Sequence, residues 1–412
     1  MRRDLDEGVS TVPDCSLTVF WDPKFLQYDF GFDHPFTERS RWLAVRLLDE
    51  SGFFDEPDPN APRWAETVPL ATREELGRFH ASEYLDLVDR LGRSRSSHPL
   101  DAGDTPSFPG CYEAAAALSG GTLTGARQVR DRPTCHAFNP GGGLHHAHPG
   151  RASGFCIFND LAVAIRALQD ESPALHRIAY LDIDVHHGDG VMYGFYEDGR
   201  LLDIDFHQDG RTIFPGTGFL TETGRGDGAG LKVNVPLPPE TGDEAFIPLF
   251  EQVVPTMVRQ YRPELIVMQC GMDAHVGDRL GSLQYTPRAY ERAVDLAHSL
   301  AHEVCGGRLL LTGGGGYAPE NVSRGLARVA LRVAGKSVDS SPFAPFPSEW
   351  RDEFERDFHF SAPQDWKVLT SLDPSPWSPD HAEKLLSSLA ERLGVRWDRS
   401  EVTPEGGPVG LN

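Results

Sequence analysis

The feature that most limits what this chain can fold into is an alternation of short apolar, β-branched runs with longer stretches of helical periodicity. Leu17 to Trp21, Thr134 to Phe138, Ile178 to Asp184, Leu201 to Phe206, Leu231 to Leu237, Leu265 to Cys270 and Leu309 to Thr312 read as strands, several apolar enough to be buried on both faces. Helical patterns run near 39 to 50, 110 to 129, 158 to 169, 243 to 260, 286 to 304 and 319 to 333. This alternation predicts an α/β fold: a mostly parallel central sheet with helices on both faces, in a single domain. In such sheets ligands bind at the carboxyl ends of the strands, so the residues after each run are where chemistry is to be sought.

Those 412 residues carry 61 acids against 39 Lys and Arg, a net charge of −22 that argues against nucleic acid or an anionic membrane as a partner and welcomes cationic ones. The opening MRRDLDEGVS has no apolar signal core, and no uncharged run approaches the ~18 residues of a membrane helix, so the expectation is a soluble, cytoplasmic protein. Six cysteines, at 15, 111, 135, 156, 270 and 305, form no C-x-x-C pair, which fits a reducing compartment and means that any metal uses other ligands. Residues 1 to 15 and about 337 to 380 are rich in Pro, Ser and acids and read as surface or disordered segments, whereas Leu385, Leu386, Leu389 and Leu393 fall at the spacing of a helix packed on the core.

The densest chemistry lies in LDIDVHHGDG, where Asp182, Asp184 and His186 alternate with Ile183 and Val185 and so share one strand face. Buried without partners, three ionisable groups would each cost several kcal/mol, and a metal ion supplies partners at once. On a straight strand Asp182 and His186 stand roughly 13 Å apart, too far for one ion. If the chain bends after Val185, Asp184 and His186 can share it, and Asp182 then serves another group. Asp273, following the strand ELIVMQC, is the candidate third ligand, although an Asp at that place is more often a helix cap. His145 and His146 follow another strand in GGGLHHA, and Asp182 and Asp189 are available to fix their tautomers, which suggests two His–Asp pairs flanking a water. In TGGGGYA the glycines, Gly315 among them, let the backbone approach a ligand closely, and Tyr317 can donate from the rim.

Together these residues resemble the zinc-dependent histone deacetylase family, and within it the bacterial acetoin-utilization deacetylases. The strings YDFGFDHPFTERS, RFHASEYLDLV, GGGLHHA, SGFCIFND, DIDVHHGDGV, FPGTG, QCGMDAH and GGGGYAPEN carry the likeness in the family's order. It covers 17 to 335 as a catalytic domain, with an N-terminal extension over 1 to 16 and a C-terminal one, bearing the packed helix, over 336 to 412. The resemblance implies zinc or iron(II) on Asp184, His186 and Asp273, His146 with Asp189 as general base and acid, His145 with Asp182 assisting, and Tyr317 polarising the acyl carbonyl. It further implies a lysine tunnel walled by Phe155 and Phe214, a Gly154 carbonyl that accepts the substrate amide proton, and Asp104 gripping the substrate backbone at the rim. Arg39 would line the inner channel, with Leu144 at the acid's exit where many members have an aromatic. A structural potassium ion beside Asp182, Asp184 and His186 is also implied, with Asp205 standing where many members carry Ser. Gly188 and Gly271 replace the acids that a two-metal ureohydrolase of the same fold needs.

The function implied is hydrolysis of acetyl or other short acyl groups from lysine side chains of proteins. A small-molecule amidohydrolase acting on acetylpolyamines is the competing reading. Leu280, in GDRLG, stands where polyamine-selective relatives look to carry a Glu for the distal ammonium, which favours the protein substrate. A catalytically dead acyl-lysine binding module would have lost ligands, base or Tyr, and none is lost here.

Overall fold

In the computed structural model the described residues are 16–55, 61–65, 67–101, 103–132, 135–172, 175–336, 345–367 and 379–397. Eight strands, β1 (Ser16–Val19), β2 (Arg63–Trp64), β3 (Cys135–Asn139), β4 (Ile178–Asp182), β5 (Leu201–Gln208), β6 (Lys232–Leu237), β7 (Leu265–Gln269) and β8 (Leu309–Thr312), form one sheet. All neighbours are parallel, in the order β2-β1-β3-β8-β7-β4-β5-β6. Period-two alternation sends Ala179, Leu181 and Ile183 to one face and Ile178 and Tyr180 to the other. Eleven α-helices are described: α1 (Arg39–Glu50), α2 (Arg73–Leu76), α3 (Ser82–Gly92), α4 (Cys111–Asp131), α5 (Asp160–Glu171), α6 (Asp189–Gly194), α7 (Asp243–Tyr261), α8 (Pro287–Cys305), α9 (Pro319–Val333), α10 (Ser348–Phe358) and α11 (Pro379–Leu393). Helices α1, α7, α8 and α9 cover one face, and α3, α4 and α5 the other. None is long and apolar enough to cross a membrane.

The register aligns the site. Asp182 is paired with Gln269 and with Asp205, Gln269 with Thr312, and Thr312 with Asn139, so four strands end in one row while β5 runs on from it to Gln208. The loops leaving that row carry His145 and His146, Asp184 and His186, Asp273, and Tyr317 to one edge. Three of the helices that follow have a defined start. Asn159 caps α5 by accepting from Ala162 N–H, and α8 and α9 open with prolines at their first turn.

Two expectations are corrected here. Strand β4 ends at Asp182, two residues before the expected end, because Asp182 Oδ1 accepts the Asp184 N–H at 3.0 Å and turns the chain. The segment about 337 to 380 is not all surface: within it α10 buries Trp350 and Phe354, and Trp350 Nε1 donates to the Leu43 carbonyl of α1. The short β2, α2 and α6 carry too few periodic residues to stand out in sequence, whereas α3, which buries Tyr84, Leu85 and Val88 at helical spacing, does carry the pattern. Helix α11 packs on α7 and β6 with Leu385 and Leu389 buried, while residues 1–15 and part of the C-terminal extension lie outside the described residues.

Candidate active site

Where the row of strand ends opens, His186 Nδ1 lies 3.2 Å from Asp184 Oδ1 and 3.1 Å from Asp273 Oδ2. All three side chains are buried. Ligand atoms bonded tetrahedrally at about 2.0–2.2 Å stand roughly 3.3–3.5 Å apart, so the three are already nearly spaced for one ion. The other carboxylate oxygens are held away from that point. Asp184 Oδ2 accepts from Gln269 Nε2 at 2.7 Å and Gly315 N–H at 2.8 Å, and Asp273 Oδ1 accepts from Val185 N–H at 2.9 Å.

Charge makes the same demand. Burial and the adjacent Asp184 push Asp273 up to about 7, against the pull of His186. His186 would be depressed by burial, but Asp184 and Asp273 outweigh that and push it up to about 10. Two buried carboxylates sharing one imidazole lack positive charge, and a divalent cation supplies it. Space is reserved around them: a Cβ on Gly271 would lie 2.1 Å from Asp184 Oδ2, and one on Gly315 1.9 Å from Asp273 Oδ2. The donor set therefore fits a single metal ion.

Two His–Asp pairs stand beside it. His145 Nδ1 faces Asp182 Oδ2 at 2.8 Å, His146 Nδ1 faces Asp189 Oδ1 at 2.7 Å, and the two Nε2 atoms converge 3.1 Å apart. Their environments drive them in opposite directions. Burial alone would keep His145 neutral, but Asp182 and Asp184 push it up to about 10. Burial and the charge on His145 push His146 down to about 4, against the pull of Asp189. His146 is thereby the neutral member, as a general base must be. Asp189 also pairs with His148 Nε2 at 3.0 Å, and Tyr180 donates its hydroxyl to Asp182.

A narrow pocket reaches these groups, lined by His145, His146, Asp184, His186, Gly154, Gly315 and Tyr317, together with Phe36 and Leu144. Phe214 is half exposed, its ring 5.0 Å from that of His146, and Phe155 sits 5.9 Å from Tyr317, so two aromatics flank the mouth. A Cβ on Gly154 would fall 2.5 Å from the His146 ring and 2.8 Å from Phe214. Phe155 is held at φ +66, a strained backbone for a side-chain-bearing residue. The Tyr28 hydroxyl donating to its carbonyl and Thr105 Oγ1 accepting its N–H hold it there. Tyr317 is buried near Asp273, Asp184 and Asp278, which raises its phenol well above the usual range and keeps it a donor. The Asp278 carboxylate accepts from Tyr317 N–H at 2.8 Å and from Leu280 N–H at 2.9 Å, tying the tyrosine to the exposed Leu280. Asp104 lies beside the mouth, its carbonyl 3.3 Å from His34 Nε2, whose ring packs on Phe155.

The structure separates one expected residue from the rest. Arg39 lies on the outer side of α1, half exposed and facing Asp357 across 3.9 Å. Arg41 is the arginine of the inner channel: it is buried, stacks over Phe36 at 4.3 Å, and donates to the Gly314 carbonyl and to the Thr37 carbonyl. Two residues on a helix are about 200° of rotation apart, so counting to the wrong arginine exchanges inside for outside. Asp205, beside the pairs, accepts Gly188 N–H at 2.7 Å and meets His207 Nδ1 at 2.7 Å. The reading from sequence alone missed Arg41, Gln269, His148 and Asp278. Gln269 lay inside an apolar run and looked like core, though a polar side chain at the last position of a buried strand is itself a signal.

A buried group of two carboxylates and one imidazole, beside two His–Asp pairs at the carboxyl edge of a parallel sheet, is a donor set suited to metal-assisted hydrolysis. Comparison with known proteins narrows the class. Residues 34–333 match the histone deacetylase domain, and the chain belongs to that family of hydrolytic deacetylases, with the arginase/deacetylase fold. It is similar to the acetoin utilization protein AcuC of Bacillus subtilis (strain 168), 38% identical over 381 residues covering 90% of this chain and 95% of that protein. AcuC of Staphylococcus xylosus is 32% identical over 350 residues, covering 83% and 88% of the two chains.

Because Gln269 aims Asp184, Gln269→Leu is expected to weaken zinc binding by about 10- to 100-fold while the circular dichroism spectrum stays native. Competition against a chromophoric chelator measures this, and unchanged affinity in the folded variant would remove Gln269 from the site.

Proposed function

We propose that this deacetylase removes acetyl or other short acyl groups from lysine side chains of proteins, using zinc or iron(II) held by Asp184, His186 and Asp273. The observation that carries this reading is the narrow pocket that brings Asp184 and His186 of that triad together with the convergent Nε2 atoms of His145 and His146. A linear acyl-lysine side chain suits such a cavity. The metal, when bound, supplies Lewis acidity to the acyl carbonyl and to the attacking water.

His146 takes the water proton at Nε2 while Asp189 holds its Nδ1, and water oxygen adds to the acyl carbon. Tyr317 donates to the acyl oxygen as it gains charge, and Gly154 accepts the substrate amide proton at its carbonyl. The carbon–nitrogen bond then breaks, and His146 passes its proton to the leaving amine, yielding the free lysine and a carboxylic acid. His145, paired with Asp182, supports the negative charge from the other side. Arg41 and Leu144 line the way out for the acid. Structural potassium beside Asp182 and Asp205 would add a fixed charge beneath the pairs.

Protein over polyamine is supported by the rim. Leu280 is exposed and apolar, so it offers no counter-charge to a distal ammonium, while the Asp104 carboxylate at the rim would accept from peptide N–H groups. The wild type is expected to show higher kcat/KM on an acetyl-lysine peptide than on N8-acetylspermidine, with Leu280→Glu narrowing the gap. A wild-type preference for the polyamine would overturn the substrate and leave the hydrolytic chemistry standing.

Tyr317→Phe should retain its metal and fold but lose roughly 10²- to 10³-fold in kcat, the usual cost of one oxyanion donor; an unaltered kcat would reject that role. Burial and the neighbouring Asp101 push Asp104 up to about 6. A carboxylate with a raised pKa takes up its proton as the pH falls through that value, so KM for the peptide should rise below about pH 6. Steady-state profiles of the wild type and Asp104→Asn check this: the variant should have the high KM throughout, and an identical inflection in both would exclude Asp104 from substrate binding.

A further inference from the structure

Among the described residues a second set of metal-ligating side chains lies apart from the active site, at the opposite, amino-terminal end of the sheet. His136 is the second residue of β3, and its parity with Phe138 turns it toward the helix layer that contains α8. His298 and His302 lie one turn apart on α8 and share a face. The three Nε2 atoms converge: His136 to His298 at 2.8 Å, His302 to His136 at 3.3 Å, and His302 to His298 at 3.2 Å.

We propose that His136, His298 and His302 form a second metal site, one that binds a zinc-class divalent transition ion and cross-links α8 to β3.

Geometry argues this first. Nitrogens bonded tetrahedrally at about 2.0–2.1 Å stand roughly 3.3 Å apart. Two of the three separations already have that value, and the third needs to open by about half an ångström. Each Nε2 offers a single in-plane position, a proton or a lone pair, and three that face one centre cannot all be matched by protons lying between them. A cation at the centre engages three lone pairs at once. The donor set is imidazole alone, which selects zinc, cobalt, nickel or copper over magnesium and calcium. His136 and His298 are buried while His302 is partly exposed, so the group meets solvent at His302.

The electrostatics agree. Burial and the neighbouring rings hold His136 well below its ordinary range, burial and His302 push His298 down to about 4, and burial lowers His302. Neutral imidazoles bind metal without first losing a proton. No carboxylate is a member of this group, in contrast to Asp184 and Asp273 at the active site. The ion would pin the last turns of α8 to the start of β3.

The test is metal stoichiometry and needs no substrate, so it reads independently of the proposed reaction. Untagged protein is loaded with excess Zn²⁺, desalted into metal-free buffer, and its zinc content measured per chain. The wild type should hold two ions. His302→Ala and His298→Ala should each hold one, with native circular dichroism and undiminished deacetylase activity, and Asp184→Ala should hold one through the histidines. The double variant Asp184→Ala/His302→Ala should hold none. The proposal is overturned if the wild type retains a single ion that Asp184→Ala abolishes, or if folded His302→Ala and His298→Ala both retain two.

Discussion

The carboxylate of Asp184 joins the ends of three neighbouring strands, and the site depends on that junction. It follows β4, accepts from Gln269 at the end of β7, and accepts from Gly315 just beyond β8. One oxygen is thus consumed in fixing position while the other faces His186. A carboxylate taken out of water on its own is costly, so the surrounding donors are a condition of its being there. They also explain why the chain passes so close at Gly271 and Gly315, where a Cβ would strike a carboxylate oxygen. Substituting either position would displace a ligand before it affected the fold.

The central sheet was legible because period-two runs and helical stretches differ in kind, and seven of the eight strands are long enough to show it. The two-residue β2 is too short to carry a period, and α6 is a single turn and a half. The site was legible where residue type and strand end coincide, as in Asp184, His186 and Asp273. It was not legible where a partner is fixed only by three-dimensional approach. Gln269 meets Asp184 across 85 positions of sequence, and Asp278 reaches Tyr317 across 39. Arg39 and Arg41 show the other failure: both are arginines on one helix, and only the rotation of α1 against α9 and the sheet decides which one faces inward.

His145 and His146 are neighbours in sequence with the same side chain, yet they are pushed to about 10 and about 4. Intrinsic chemistry cannot separate them, so the difference comes from what surrounds each ring. His145 gains two nearby carboxylates, and the charge so created lowers His146. Asp182 therefore acts on the base through its neighbour, which gives the acidic strand end a use beyond ligation. Replacing either acid would alter two histidines together, and single substitutions here cannot be read as independent contributions.

The same logic distinguishes the histidines at the two ends of the sheet. Buried ionisable groups seldom stabilise a fold relative to apolar side chains of the same volume, so their persistence in a core calls for a different reason. At the carboxyl end the acids outnumber the imidazoles, the surplus charge is negative, and a hard-to-borderline divalent cation is the natural complement. Around His136, His298 and His302 the members are neutral imidazoles instead. That set would hold an ion by nitrogen donation, with weaker charge attraction and sharper geometric demand. A rigid strand and a regular helix meet that demand better than loops do, and it is a strand and a helix that present these three rings.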